Sequence, residues 1–201
     1  MKLTRLAVPL ALALAAALGG CSIGGLLGGG GKAPPTLLRL TAEAAPTAIQ
    51  RSAAAGDAIT VNVPLVGKEL RTTRVPAQVS PYDVQYLTDL MWIDTPDRLF
   101  QDLLAETIRR RTNRVVLDPR ITGMDPGVLI SGQLNRFGYD QATGSVVVQF
   151  DGAIARNGGT QVQTRRFEAS VPSGPTGASV GPALNRAANQ VALEVAAWVG
   201  G

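Results

Sequence analysis

The spacing of apolar residues changes along this chain, and each change predicts an element. Leu6 to Leu18 is an apolar run of 13 residues, with Lys2 and Arg5 ahead of it and Gly19-Gly20-Cys21 behind. Basic, then apolar, then small is the pattern of an export signal. Thirteen residues fall short of the ~20 that a membrane-spanning helix needs. Residues 22–35, SIGGLLGGGGKAPP, show no periodicity and contain six glycines and two prolines. They predict a tether with a root-mean-square reach of about 20 Å. The GGGGK piece is not a phosphate loop, because Leu26 stands where that motif needs Gly and Ala33 where it needs Ser or Thr.

Beyond Thr36 the periods become those of a folded domain. Leu37–Leu40 is a short strand candidate, and 42–56 reads as an Ala-rich loop with Pro46. Ile59-Thr60-Val61-Asn62-Val63 alternates apolar and polar, as a half-buried strand does. Arg71–Gln78 and Val84–Leu87 are weaker strand candidates on either side of Ser80-Pro81. Asp94-Thr95-Pro96 predicts a helix start. Leu99, Phe100, Leu103, Leu104, Thr107 and Ile108 then follow at helical spacing. Arg109, Arg110 and Arg111 crowd its last turn, where the helix dipole favours cations.

Val115–Leu117 is a short strand. Val128–Tyr139 is a long one, with Gly132 as a candidate bulge. Ser145–Ala155 is β-prone, Asn157-Gly158 signals a hairpin, and Thr160–Val171 returns. Val128 to Val171 therefore predicts a three-stranded antiparallel meander. A last helix is expected over Ala178–Val199, with Val180, Leu184, Ala187, Val191, Val195 and Trp198 on one face. The predicted fold is a single α+β domain: a mixed, largely antiparallel sheet of five to seven strands, covered by two amphipathic helices.

Composition narrows the function. The formal charge of +4 falls to +2 once Lys2 and Arg5 leave with the signal, and no basic tract is interleaved with aromatics, so nucleic acid is not an expected partner. The chain has no histidine and one cysteine. Ser–His and Cys–His catalysis is thereby excluded, and a zinc site would need carboxylates alone. No calcium-loop pattern occurs. Asp83 with Asp89 is the nearest approach to a hydrolytic acid pair, and exposed loop carboxylates explain it better. No enzymatic activity, cofactor or metal is expected.

Leu18-Gly19-Gly20-Cys21 resembles a lipobox, in which the thiol receives a diacylglyceryl group and becomes the mature N-terminus. Cys21 is the expected lipidation site, on a palmitate-bearing lipoprotein. The expected organisation is a signal peptide over 1–20, a lipidated tether over 21–35 and a folded domain over 36–201. Several acyl chains together anchor stably. Ser22 after the cysteine resembles the outer-membrane sorting class, which places the protein on the periplasmic face of the bacterial outer membrane.

Val84-Gln85-Tyr86-Leu87, Trp92, Pro96-Asp97-Arg98-Leu99-Phe100-Gln101, the ISGQLNRFGYD of Ile130 to Asp140 with Leu129 before it, Arg165-Arg166-Phe167-Glu168-Ala169 and the closing helix to Trp198 together resemble the ABC-type transport auxiliary lipoproteins. The resemblance implies a role beside an MCE-type phospholipid transport system, with an MCE-domain protein and an ABC permease and ATPase as partners. Phospholipid contact and self-association are further expectations. The competing classes are an envelope scaffold or regulator, such as an activator of peptidoglycan synthesis, and a minor hydrolase. Arg71, Arg74, Tyr82, Tyr86 and Trp92 form the expected interaction surface, because Arg, Tyr and Trp are the types enriched at interface hot spots.

Overall fold

The computed structural model describes residues 36–46, 50–54, 56–112, 114–120 and 127–200. Cys21, the signal and the tether lie outside the described residues. In chain order the elements are β1 (Thr36–Leu38), β2 (Ile59–Val61), β3 (Leu65–Val66), a 3-10 turn (Lys68–Leu70), β4 (Arg74–Gln78), β5 (Val84–Trp92), α1 (Pro96–Arg111), β6 (Val116–Leu117), β7 (Val128–Asp140), β8 (Ser145–Arg156), a second 3-10 turn (Asn157–Gly159), β9 (Gln161–Pro172) and α2 (Gly177–Gly200).

All nine strands among the described residues belong to one mixed sheet organised around β7. On one side β7 pairs antiparallel with β8, and β8 with β9, in twelve-residue ladders. Asn157 (φ 53°) and Gly158 (φ 65°) make the β8–β9 turn in the left-handed region, as the Asn-Gly signal requires. On the other side β7 receives β2, β3 and β4 in parallel, two or three residues at a time. β5 pairs antiparallel with β4 and parallel with β1, and β6 pairs parallel with β2. The expected meander, the mixed sheet and both helices are present.

Four boundaries differ from the sequence reading. The strands number nine because two-residue pairings such as β3 and β6 carry no periodic signal. β5 runs on to Trp92, since β1 supplies partners for Leu90, Met91 and Trp92. β4 begins at Arg74 because the 3-10 turn occupies the residues before it. The bulge in β7 falls between Leu134 and Arg136, not at Gly132, which pairs in register with Gly152. Asn135 leaves the ladder and its amide donates to the Asp151 carboxylate at 2.9 Å.

Both helices pack on one face of the sheet. Between them runs a chain of rings: Trp92 to Phe137 (5.2 Å between centroids), Phe137 to Phe100 (6.1 Å), Phe100 to Phe150 (5.4 Å), Phe150 to Phe167 (6.5 Å) and Phe167 to Trp198 (5.4 Å). Such contacts contribute about 0.5–1.5 kcal/mol each beyond burial. Phe100, Leu104 and Val191 are fully buried as their spacing predicts, and Trp198 packs against the core while partly exposed.

The segment after β1 is strapped to α2. Asn185 and Asn189, four apart on one helix face, accept the Thr41 and Glu43 N–H groups at 2.8 Å each, and Asn189 Nδ2 returns a 2.8 Å bond to the Thr41 carbonyl. The start of α2 is capped from the sheet, where Asp89 of β5 accepts the Gly177 N–H at 3.0 Å.

Candidate functional site

Of the five residues expected to form a working surface, the structure brings three to one corner. Arg74 opens β4 and places its guanidinium over the Tyr86 ring, 4.6 Å from the centroid. The Tyr86 hydroxyl donates to the Glu69 carbonyl at 3.3 Å, tying β5 to the 3-10 turn. Arg71 is exposed just after that turn. The cation over the ring and the anchored hydroxyl leave Tyr86 half-buried and held in one orientation. An ordered Arg–Tyr pair of this kind costs little further entropy on binding a partner.

Tyr82 stands apart. It is 95% exposed at the tip of the β4–β5 turn. Trp92 does not belong to the surface at all: it is 1% exposed and packs on Phe137. Along the end of β5, Leu90 and Trp92 point inward together, so the ring joins the core.

Beside this corner lies a groove of about 260 Å³ between the first 3-10 turn, β4 and β7. Leu70, Pro76, Val84 and Val147 supply apolar lining, and Glu69, Gln78, Asn135 and Arg136 supply polar groups. The cation is already engaged, because Arg136 donates to Asp140 at 2.6 Å. That bond holds the Asp140 carboxyl below the usual carboxylate range. The groove floor includes Gly138, where a Cβ would lie 2.3 Å from the Pro76 carbonyl. Sequence reasoning missed this groove, because its walls come from three separate segments.

The helix-free face of the meander carries a second polar set. Arg166 bonds both Asp151 oxygens, at 2.6 and 2.7 Å, and keeps that carboxyl ionised below its ordinary range. Gln149 bonds Glu168 alongside.

The arginine run at the end of α1 is consumed by structure. Arg109 and Arg110 both pair with Glu106, Arg110 also donates to the Ala42 and Ala44 carbonyls, and Arg51 donates to the Arg109 carbonyl. These arginines tie the loop ahead of β2 to the helix.

Among the described residues no three His, Cys, Asp or Glu side chains are grouped to hold a metal ion. No helix of those residues is long and apolar enough to cross a membrane.

The family described as the ABC-type transport auxiliary lipoprotein component matches residues 38–196. Among solved structures, protein XCC0632 from Xanthomonas campestris, of family DUF330, superposes with a TM-score of 0.69 at 16% identity, over 82% of this chain and 94% of that one. An uncharacterised protein superposes with a TM-score of 0.59 at 15% identity, over 73% of this chain and 91% of that one. At these identities the likeness is one of fold. No curated protein matches the chain.

Proposed function

This chain belongs to the ABC-type transport auxiliary lipoprotein family, and from that premise we propose that it is a non-catalytic docking subunit of an MCE-type lipid transport system, anchored through Cys21 to the periplasmic face of the outer membrane. The family match over nearly the whole folded domain carries the reading. Two further observations support it. The chain has no histidine and its one thiol sits in the lipobox-like tetrad, which suits a part that binds and does not turn over substrate. The Arg71, Arg74 and Tyr86 corner offers a preorganised cation and aromatic of the type that dominates binding energy at interfaces.

Docking is tested by pull-down of the MCE-domain partner with lipidated protein. Arg71→Glu with Arg74→Glu reverses the charge at the corner, and Arg74→Glu also removes the cation over Tyr86. Partner capture should fall at least tenfold, with thermal stability and membrane fractionation unchanged. Capture equal to wild type by a folded double variant places docking elsewhere. Metabolic labelling with a fatty-acid probe tests the anchor: wild type should label and Cys21→Ser should not. Reproducible hydrolysis of phospholipid or glycan, abolished by one substitution, would overturn the non-catalytic reading.

A further inference from the structure

The sheet ends in two rims of opposite character. The register Val84–Gln78–Asp140–Ser145–Pro172 crosses five strands in a single row. The turns that follow these positions therefore share one rim: 79–83, 141–144 and 173–176. Gln141 N–H donates to the Gln78 carbonyl at 2.9 Å and Ser173 N–H to the Gly144 carbonyl at 3.0 Å, which stitches the rim together. Its sequences are VSPYD, QATG and SGPT. Asp83 is the one charge in these turns, and it is turned back onto Ser80 Oγ at 2.7 Å. Pro81, Tyr82, Ala142 and Pro175 are exposed at the tips.

The opposite rim is the row Val116–Ile59–Val128–Arg156–Gln161. Its neighbourhood carries Arg111, Arg114 and Arg156 against Asp57.

The direction of β1 distinguishes the rims. β1 runs parallel to β5 with Thr36 beside Leu90, so it points away from the Tyr82 turn and its first residue faces that turn. From the level of Leu90 back to Asp83 is seven residues of strand, or about 23 Å. Fourteen residues separate Cys21 from Thr36, and a Gly-rich chain of that length has a root-mean-square reach of about 20 Å. The two lengths match. To bring the cationic rim to the same plane, the tether would have to double back along the sheet.

We infer that the Tyr82 rim rests on the lipid surface that holds the anchor, with the Tyr82 ring in the headgroup layer and the arginine-bearing rim facing away. The inference rests on lipid anchoring at Cys21. Tyrosine suits the position, since its apolar ring and polar tip prefer a boundary between apolar and aqueous phases. A rim free of outward-facing charge approaches a bilayer without desolvating ions. The turn is braced in advance: Val79 N–H donates to the Asp83 carbonyl at 3.0 Å, and Ser80 Oγ accepts from the Tyr82 and Asp83 N–H groups at 3.3 and 3.2 Å.

The test uses full-length lipidated protein, with Cys21 acylated, in vesicles of phosphatidylethanolamine containing a minority of phosphatidylglycerol. A fluorophore is attached at Tyr82→Cys, at Ala142→Cys or at Asn157→Cys, and quenched by lipids carrying a headgroup nitroxide. Labels at 82 and 142 should be quenched several-fold more than the label at 157. Tyr82→Asp should cut the quenching of the label at 142 at least twofold, while vesicle flotation stays unchanged. Flotation with equal quenching at all three sites, or with the strongest quenching at 157, overturns the orientation and leaves the anchor intact. Failure to float defeats the anchor, and the orientation with it.

Discussion

The two sides of β7 solve the same problem in different ways. Towards β8 and β9 the sheet is built from contiguous sequence, in twelve-residue antiparallel ladders closed by tight turns. Towards β1 to β6 it is a patchwork of pairings two to five residues long, most of them parallel, laid down by segments far apart in the chain. The meander holds itself together through local register. The patchwork is held by what lies across it: the Asn185 and Asn189 strap, the arginine ties at the end of α1, and the Arg74–Tyr86–Glu69 corner. Regular pairing thus accompanies the part that serves as a frame, and side-chain ties accompany the part that presents a surface.

The largest test strikes what the two sides share. Phe150 stacks between Phe100 and Phe167, so Phe150→Ala should cost about 3–5 kcal/mol and lower the denaturation midpoint of the whole domain in a single transition. Two separate transitions would mean that the halves are independent, and the comparison would become a division into subdomains.

Gly138→Ala should act at the seam. A Cβ there would meet the Pro76 carbonyl, so β4 must be pushed from β7 at a cost of about 1–3 kcal/mol. Hydrogen exchange should quicken at Ala77 and Gln78 while Val146 to Phe150 stay protected. Equal loss on both sides would break the contrast.

Asn189→Ala removes the buried strap and leaves the Glu43 N–H and the Thr41 carbonyl without that partner. About 1–2 kcal/mol should be lost, with exchange rising at Glu43 and in β1 but not in β8 or β9. An unchanged midpoint would show that the patchwork needs no strap.

The smallest effect is electrostatic. The Arg136 bond lowers the Asp140 carboxyl in the folded state, so its contribution is fully present above the unfolded value near pH 4 and is lost as pH falls through the lower folded value. Wild type should exceed Asp140→Asn in stability by about 0.2–1 kcal/mol at neutral pH. The gap should close in strong acid, as followed by urea titration. A gap that does not change with pH would trace the effect to the turn bonds that Asp140 makes with Ala142 and Thr143.

The meander was legible in the sequence because its signals are local: alternation, Asn157-Gly158, and turn residues at 140–144. The helices were legible from a spacing that needs no partner to be recognised. The patchwork was not, since a two-residue parallel pairing such as β3 with β7 leaves no period, and its partner lies about seventy positions on. The working surface was legible in composition but not in geometry. Arg74 and Tyr86 were readable as interface types. Trp92 shares that composition, yet it sits two positions beyond Leu90 on the inward face of β5. Asn185 and Asn189 read only as a polar helix face. Two asparagines four apart on an otherwise Ala-rich helix were the available signal for the strap.

That strap also sets a clock. Thr41 bonds to Asn189, 148 positions later, and β1 and β2 lie far ahead of the strand or helix that completes them. A ribosome adding about 5–20 residues each second needs roughly 7–30 s to deliver Asn189 after Thr41. Throughout that interval the N-terminal segment cannot close onto its partners, and pairing of such long sequence separation is slow even when the chain is complete. The region nearest the anchor is therefore the last to mature. Machinery that must recognise an extended N-terminus, whether to translocate it, cut it or acylate it, is given its opportunity by the topology itself.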